Sequence, residues 1–393
     1  MKTKILLLIC ICSLMFASSC SNQDTNEVNT EEKNFYNIEK EKEAIGNILG
    51  KHDVVLLGES IHDSSDIYNL KIELMKYLVE HEGFNLIMLE GSQAELEYYK
   101  SKKHPVEEGL NYIYKPDSFQ YFFESDAVET TQIDWLPLVY DYPSFDTLLL
   151  DEISKEISKH NQELAYEFKS MEIALRTWAY KMLSSGNPEK FDKENIYQKI
   201  IDKQFFDELS EPTQEYINKK NFNLVNYINE INFENGYIEY NMMRSRGMAD
   251  SIMDKLDDHS KSIVWIHNGY AQYEPEKISY DNQTSYDYEE NLDSVGSILR
   301  DEGIDVYSIG LLFNEAKAGV SPFIEKNISR KDNTKYLEGY IGSHTEDDIF
   351  IELQGNDFIR NQQYKLDDLG NSEYTMNPYE QYDGLIYIDS IEK

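Results

Sequence analysis

The chain has 393 residues and a formal charge of −36, from 37 Lys and Arg against 73 Asp and Glu. That balance excludes a nucleic-acid binder, which needs a basic footprint to displace phosphate counterions, and a protein docked on an anionic membrane through a basic patch. Hydrophobic residues at 40% support a packed core and exclude wholesale disorder, and the length fits one large domain or two.

Residues 1–19 read as a signal peptide. Lys2 and Lys4 precede an apolar run from Ile5 to Phe16, too short to span a bilayer as a stable helix. Ala17-Ser18-Ser19-Cys20 follows. Small residues directly before a Cys resemble the lipobox of bacterial lipoproteins, although Ala17 stands where a bulkier aliphatic residue is usual. On this reading Cys20 carries lipid and the protein sits on the bacterial cell envelope, at the outer membrane or cell surface, held by its N-terminal lipid only; the alternative is an ordinary secretory signal. Cys10, Cys12 and Cys20 are the 3 cysteines, so the folded part has no disulfide, thiolate nucleophile or Cys metal site. Residues 20–43 are polar and acidic and read as a flexible tether.

The domain is expected over residues 44–393. His52 to Gly58 is a short apolar run ending in Gly and predicts a buried strand. Ile67, Leu70, Leu74, Tyr77 and Leu78 recur at helical spacing, with Gly83 as a left-handed cap, and Phe84 to Leu89 predicts a second buried strand. Strand, helix and strand with continuous apolar strands imply a βαβ unit and a parallel sheet. From about 94 to 259 the pattern is mostly helical and predicts a large insertion or subdomain. One stripe there runs through Phe145, Leu148, Leu149, Ile153 and Ile157, another through Met248, Ala249, Ile252, Met253 and Leu256. Tyr112, Tyr114, Phe119, Tyr121, Phe122 and Phe123 form an aromatic cluster, read as subdomain core or as the wall of an apolar pocket. Ser262 to Ile266 predicts a strand. Val295, Ile298 and Leu299 predict a helix capped by Gly303, and Ile304 to Phe313 a further strand. Asp348 to Leu353 and Leu385 to Ile388 are candidate later strands. The expected fold class is α/β: a mainly parallel central sheet from about 44–93 and 260–393, flanked by helices, with the helical subdomain over the cleft.

Three predicted strands end in polar residues that apolar packing does not explain: Glu59 and His62 after the first, Glu90 after the second, His267-Asn268-Gly269-Tyr270 after the third. Parallel strands in one sheet place these ends on a shared edge, where open α/β sheets bind ligands. Two carboxylates and two imidazoles there suit acid–base chemistry. A neutral imidazole takes a proton from water near pH 7, and a carboxylate on its other nitrogen fixes the tautomer. Taken singly, each has a structural reading: a helix cap with a solvated His, a carboxylate capping the next helix, a hydrogen-bonded core turn. Arg244 and Lys71 are basic residues placed to bind an anion or polarise a carbonyl, or else to form salt bridges. The chain has no Gly-x-Ser-x-Gly, no phosphate-binding Gly-rich motif and no His-Glu-x-x-His.

These motifs resemble the erythromycin esterase family. Gly58, Glu59, His62, Asp66, Lys71, Gly83, Phe84 and Glu90 follow that family's opening block; Arg244, Met248 and Ala249 resemble its Arg-Asp-x-x-Met-Ala helix. Val264 to Asn268 resembles the next strand and His-Asn, and Ser294 to Gly310 and Tyr382 to Tyr387 the later blocks. The resemblance spans about residues 45–390. It implies an α/β domain with a helical subdomain over a cleft and hydrolysis of a macrolide lactone, hence a role in antibiotic resistance, without an obligatory metal or cofactor. It implies His62 as the general base, Glu59 and Glu90 as its supports, and His267, Arg244 and Lys71 as groups that bind and polarise the ester, beside Asn268 and Tyr270. Three positions depart from the pattern: Tyr270 for the second His of His-Asn-x-His, Asp63 for a small residue after the base, and Ser245 for the Asp after Arg244.

The leading expectation is a lipid-anchored hydrolase of carboxylic esters or lactones acting through His-activated water, its partner a small-molecule substrate. The alternative is a ligand- or partner-binding lipoprotein on the same fold that has lost catalysis. A third, weaker reading is a metal-dependent hydrolase.

Overall fold

The computed structural model describes residues 34–393 apart from 63, 103–131, 138–146, 185–189, 231–235, 257–259, 281–291, 322–323, 332, 357, 360, 369–371 and 393. The aromatic cluster at 112–123 and Asp63 lie outside the described residues.

Strands are numbered in chain order: β1 Phe35–Asn37, β2 Val54–Leu57, β3 Leu86–Gly91, β4 Gln132–Pro137, β5 Ser262–Trp265, β6 Ser279–Tyr280, β7 Val306–Ala316, β8 Ile328–Ser329, β9 Ile349–Glu352, β10 Tyr364–Asp368, β11 Ser372–Met376 and β12 Gly384–Ile391. A nine-stranded sheet runs β1-β9-β12-β7-β2-β5-β3-β4, with β8 paired to β7. From β12 to β4 every pairing is parallel. The antiparallel members are β9, β1 and β8. The result is a mixed α/β fold with a mostly parallel sheet. The interior strands are apolar on both faces because both are covered: Val54, Val55, Leu56 and Leu57 are all fully buried. Val55, Leu57, Ile263 and Trp265 pack into one apolar layer, and Val54, Leu56 and Val264 into the layer on the opposite face. A second, antiparallel sheet joins β10, β11 and β6.

The predicted βαβ opening is present. Helix Ser65–Glu82 links β2 to β3 and stops at Gly83, whose φ of 79° is the left-handed conformation expected of its cap. The two strands are not neighbours, because β5 lies between them.

Two expectations change. Residues 35–37, inside the stretch read as tether, form β1 on β9, and Ile38 just beyond is buried, so the ordered fold begins earlier than the polar composition implies. The segment 94–259, read as mostly helical and as a subdomain over the cleft, also contributes a strand to the main sheet. It carries helices Gln93–Ser101, Thr147–Ser158, Gln162–Ser184, Glu211–Asn226 and Gly236–Lys255, but also β4, which extends the main sheet beside β3. Its two stripes go to different places. Leu149, Ile153 and Ile157 pack into a core formed within the segment, with Phe168, Tyr197 and Tyr216, whereas Met248, Ala249 and Ile252 pack on the sheet. Among the described residues no helix is long and apolar enough to cross a membrane.

Candidate active site

The strand register explains why the polar ends meet. Leu57, Trp265 and Leu89 lie side by side across β2, β5 and β3. Glu59 and His267 each follow two residues later, and Glu90 one residue later. The loop after β2 must pass close to its neighbours. A Cβ on Gly58 would meet Asn268 Oδ1 and the Ile309 carbonyl, each at 2.5 Å, so only glycine fits there. The Asn268 amide N–H then donates to the Glu59 carbonyl at 2.9 Å, and Ser321 Oγ donates to the His62 carbonyl at 2.7 Å, fixing the loop that bears both side chains.

Glu59 is the hub. Its Oε1 lies 2.5 Å from His62 Nδ1; its Oε2 accepts from the Trp265 indole N–H and, at 3.3 Å, from Lys71 Nζ. Burial alone would raise the Glu59 pKa, but the Lys71 charge, the His62 contact and the indole hydrogen bond outweigh it and hold the carboxyl at about 2. Glu59 is therefore ionised near pH 7, so in the neutral form of His62 the proton sits on Nδ1, shared with Glu59, and Nε2 is the basic nitrogen. Burial pushes the His62 pKa down; the Glu59 hydrogen bond and charge, with the Glu90 charge, push it up further, and the balance is a raised value, with Lys71 opposing. The His62 side chain is 29% exposed while Glu59 is 1% exposed, an arrangement in which a solvent-reachable imidazole rests on a buried carboxylate.

The second half of the site is built on Glu90. Arg244 Nη2 donates to its Oε1 at 3.1 Å, and the His267 backbone N–H donates to its Oε2 at 3.3 Å. His267, two residues past β5, caps the following short helix, its Nδ1 accepting from the Gly269 N–H at 3.3 Å. That leaves Nε2 to carry the ring proton of the neutral form. The His62 and His267 rings lie with centroids 5.7 Å apart and planes tilted by 50°. The Arg244 guanidinium lies 5.1 Å from the centre of the half-buried Tyr270 ring, within cation–π reach.

Glu59, His62, Glu90, His267, Arg244 and Tyr270 thus converge as the sequence predicts. Two others hold different places. Lys71, expected to bind substrate, is instead 0% exposed, with its ammonium 3.9 Å over the Trp265 ring and bonded to Glu59. It reaches the site only through that carboxylate. Asn268 spends its side-chain amide on the Leu311 backbone, donating to the carbonyl at 2.7 Å and accepting from the N–H at 2.9 Å, and so clamps β5 to β7 instead of facing a ligand. Trp265 is the site residue that sequence reasoning misses. The available signal is an indole N–H at the end of a buried strand, which needs an acceptor. Among the described residues no group of three or more His, Cys, Asp or Glu is arranged to hold a metal ion.

The sequence profile of the family described as erythromycin esterase matches residues 140–391, more than half of the chain. The chain belongs to the erythromycin esterase family. The match includes Arg244 and His267, while Glu59, His62 and Glu90 precede it. Among solved structures, a Bacillus cereus protein superimposes with a TM-score of 0.57 at 18% identity, covering 91% of this chain and 93% of its own. A protein described as a succinoglycan biosynthesis protein gives 0.56 at 16%, covering 89% and 90%. A His-to-Asn mutant of the erythromycin esterase EreC in its open conformation gives 0.53 at 18%, covering 88% and 93%. These likenesses establish the shared fold across nearly the whole chain. No curated protein matches the chain by sequence.

Proposed function

We propose that the protein is a hydrolase of carboxylic esters or lactones that uses His62 as general base. The observation that carries this reading is the buried Glu59 carboxylate 2.5 Å from His62 Nδ1, which holds the ring of a part-exposed imidazole in the tautomer whose Nε2 is the basic nitrogen. In the proposed reaction His62 Nε2 removes a proton from water as the oxygen bonds to the acyl carbon. The carbonyl π electrons move onto its oxygen, and His267 Nε2–H and the Arg244 guanidinium stabilise that charge. Collapse of the tetrahedral intermediate breaks the acyl–oxygen bond, and the alkoxide takes the proton back from the His62 imidazolium. An ester gives an acid and an alcohol; a lactone gives one ring-opened hydroxy acid. Family membership supports this reaction type, and a macrolide lactone is the substrate class it points to.

One observation favours a second reading, a ligand-binding protein without turnover. Tyr270 presents a phenol beside Arg244 where the family pattern has an imidazole, and a phenol is a poor base near neutral pH. The two readings part in one experiment. Macrolides and aryl esters are incubated with wild type, His62→Ala and Tyr270→His, with and without chelator, and products are read by mass spectrometry. Gain of one water, abolished in His62→Ala and retained with chelator, is expected. Turnover by Tyr270→His alone would support the binding protein, and loss with chelator would support a metal-dependent hydrolase.

A further inference from the structure

The buried Lys71 has no place in the proposed reaction, and a buried lysine is costly. Its surroundings indicate what it does. Helix Ser65–Glu82 carries it into the layer between helix and sheet, where its ammonium sits 3.9 Å over the Trp265 ring and 3.3 Å from Glu59 Oε2. The same Trp265 donates its N–H to the same oxygen, and Tyr68 of that helix packs edge-on to the indole at 5.2 Å. Glu59 therefore stands between two basic groups, His62 on Oε1 and Lys71 on Oε2. Among the described residues, the other charged or titratable groups that face His62 include Glu90 at the end of β3, itself paired with Arg244 of helix Gly236–Lys255, and His267 just after β5. The Glu90 charge is largely compensated by Arg244, whereas the Glu59 charge is divided.

We propose that Lys71 is a positioning residue that acts through Glu59, drawing on the carboxylate from the face opposite His62 so that the imidazole stays available as a base instead of being held as the imidazolium. The reason is electrostatic. A histidine against a lone buried carboxylate keeps its proton well above its ordinary range, where it cannot act as a base at neutral pH. A second cation on the other oxygen weakens that hold. The Lys71 pKa is itself lowered by burial, to about 7, against the raising pull of Glu59 and Glu90, so its proton and that of His62 titrate as a coupled pair on one anion. This deepens the reading of His62 as base and rests on it. The test reads protonation without turnover, so its failure is separate from failure to find a substrate.

The test is a pH titration of the His62 ring by NMR, with the resonance assigned from its loss in His62→Gln. Lys71→Met keeps similar volume under Trp265 and removes the charge; Lys71→Arg keeps a charge that does not titrate. The expected order of His62 midpoints is Lys71→Arg at or below wild type, and Lys71→Met above wild type by about one pH unit or more. A merely structural lysine would let both variants move together or not at all. A Lys71→Met midpoint at or below that of wild type overturns the proposal. If the variants lose their near-ultraviolet circular dichroism, wild type decides alone: between pH 5 and 11 the His62 resonance follows two inflections, its own and that of Lys71. A single inflection overturns the proposal.

Discussion

Replacing Arg244 with Met strands Glu90. Both side chains are buried, Arg244 at 9% and Glu90 at 7% exposed, and the Nη2–Oε1 distance is 3.1 Å. At that separation and an effective dielectric near 20, the gross attraction is about 5 kcal/mol. Desolvation has already consumed part of it, but removing one partner leaves the other charge buried, at a cost of about 3–5 kcal/mol. Arg244→Met is therefore expected to lose about 3 kcal/mol, or roughly 6 °C in Tm at about 2 °C per kcal/mol for a chain of this size. The decisive comparison is the double variant Arg244→Met with Glu90→Gln, measured by urea unfolding with tryptophan fluorescence. Removing the stranded charge should restore at least about 1 kcal/mol relative to Arg244→Met. If the double variant is less stable than Arg244→Met, or Arg244→Met lies within about 0.5 kcal/mol of wild type, the pair is not the compensated buried charge described.

Two further outcomes are expected. Glu338 is buried, and burial pushes its carboxyl up to about 8 against the pull of its own backbone N–H and of Arg330. The folded state thus binds a proton that the unfolded state releases above about pH 4.5, so stability falls as pH rises toward about 8; Glu338→Gln should flatten that decline by about 3 kcal/mol, measured as urea midpoints at pH 5 and pH 8. Lipidation at Cys20, proposed from the residues before it, predicts a diacylglyceryl mass on the N-terminal peptide of membrane-extracted protein and its loss, with release from the membrane fraction, in Cys20→Ser. An unmodified Cys20 peptide in the membrane fraction would contradict it.

The sheet interior is legible in the sequence because its signals are local. Val54 to Leu57 and Ser262 to Trp265 are short runs buried on both faces, and Gly83 and Gly303 mark helix ends with φ near 80°. The tendency of parallel sheets to gather their polar strand ends at the carboxyl edge then suffices to bring Glu59, His62, Glu90 and His267 together. What escapes depends on nonlocal pairing. β1 is a three-residue strand made by β9, and β4, in a segment of mostly helical pattern, is drawn into the sheet by β3. Lys71 and Asn268 suit a ligand by residue type alone. Their actual partners, Trp265 and Glu59 for one and Leu311 for the other, come from separate strands that meet only in the folded sheet. Trp265 is inconspicuous because a tryptophan in a buried strand satisfies an apolar pattern as well as it serves a carboxylate.

His62 is the proposed base and Glu59 its support, and the pH dependence of kcat/KM for an ester turned over in the panel reads their titration. Because the His62 pKa is raised above its ordinary 6.5, the profile should climb with loss of the His62 proton, through a limb centred above that value. Glu59→Gln removes the anion that raises it, so the limb should move to lower pH as the plateau falls, and His62→Ala should abolish the limb altogether. A rate that is flat across pH 6–9, or a limb that persists unchanged in His62→Ala, would rule out His62 as the base.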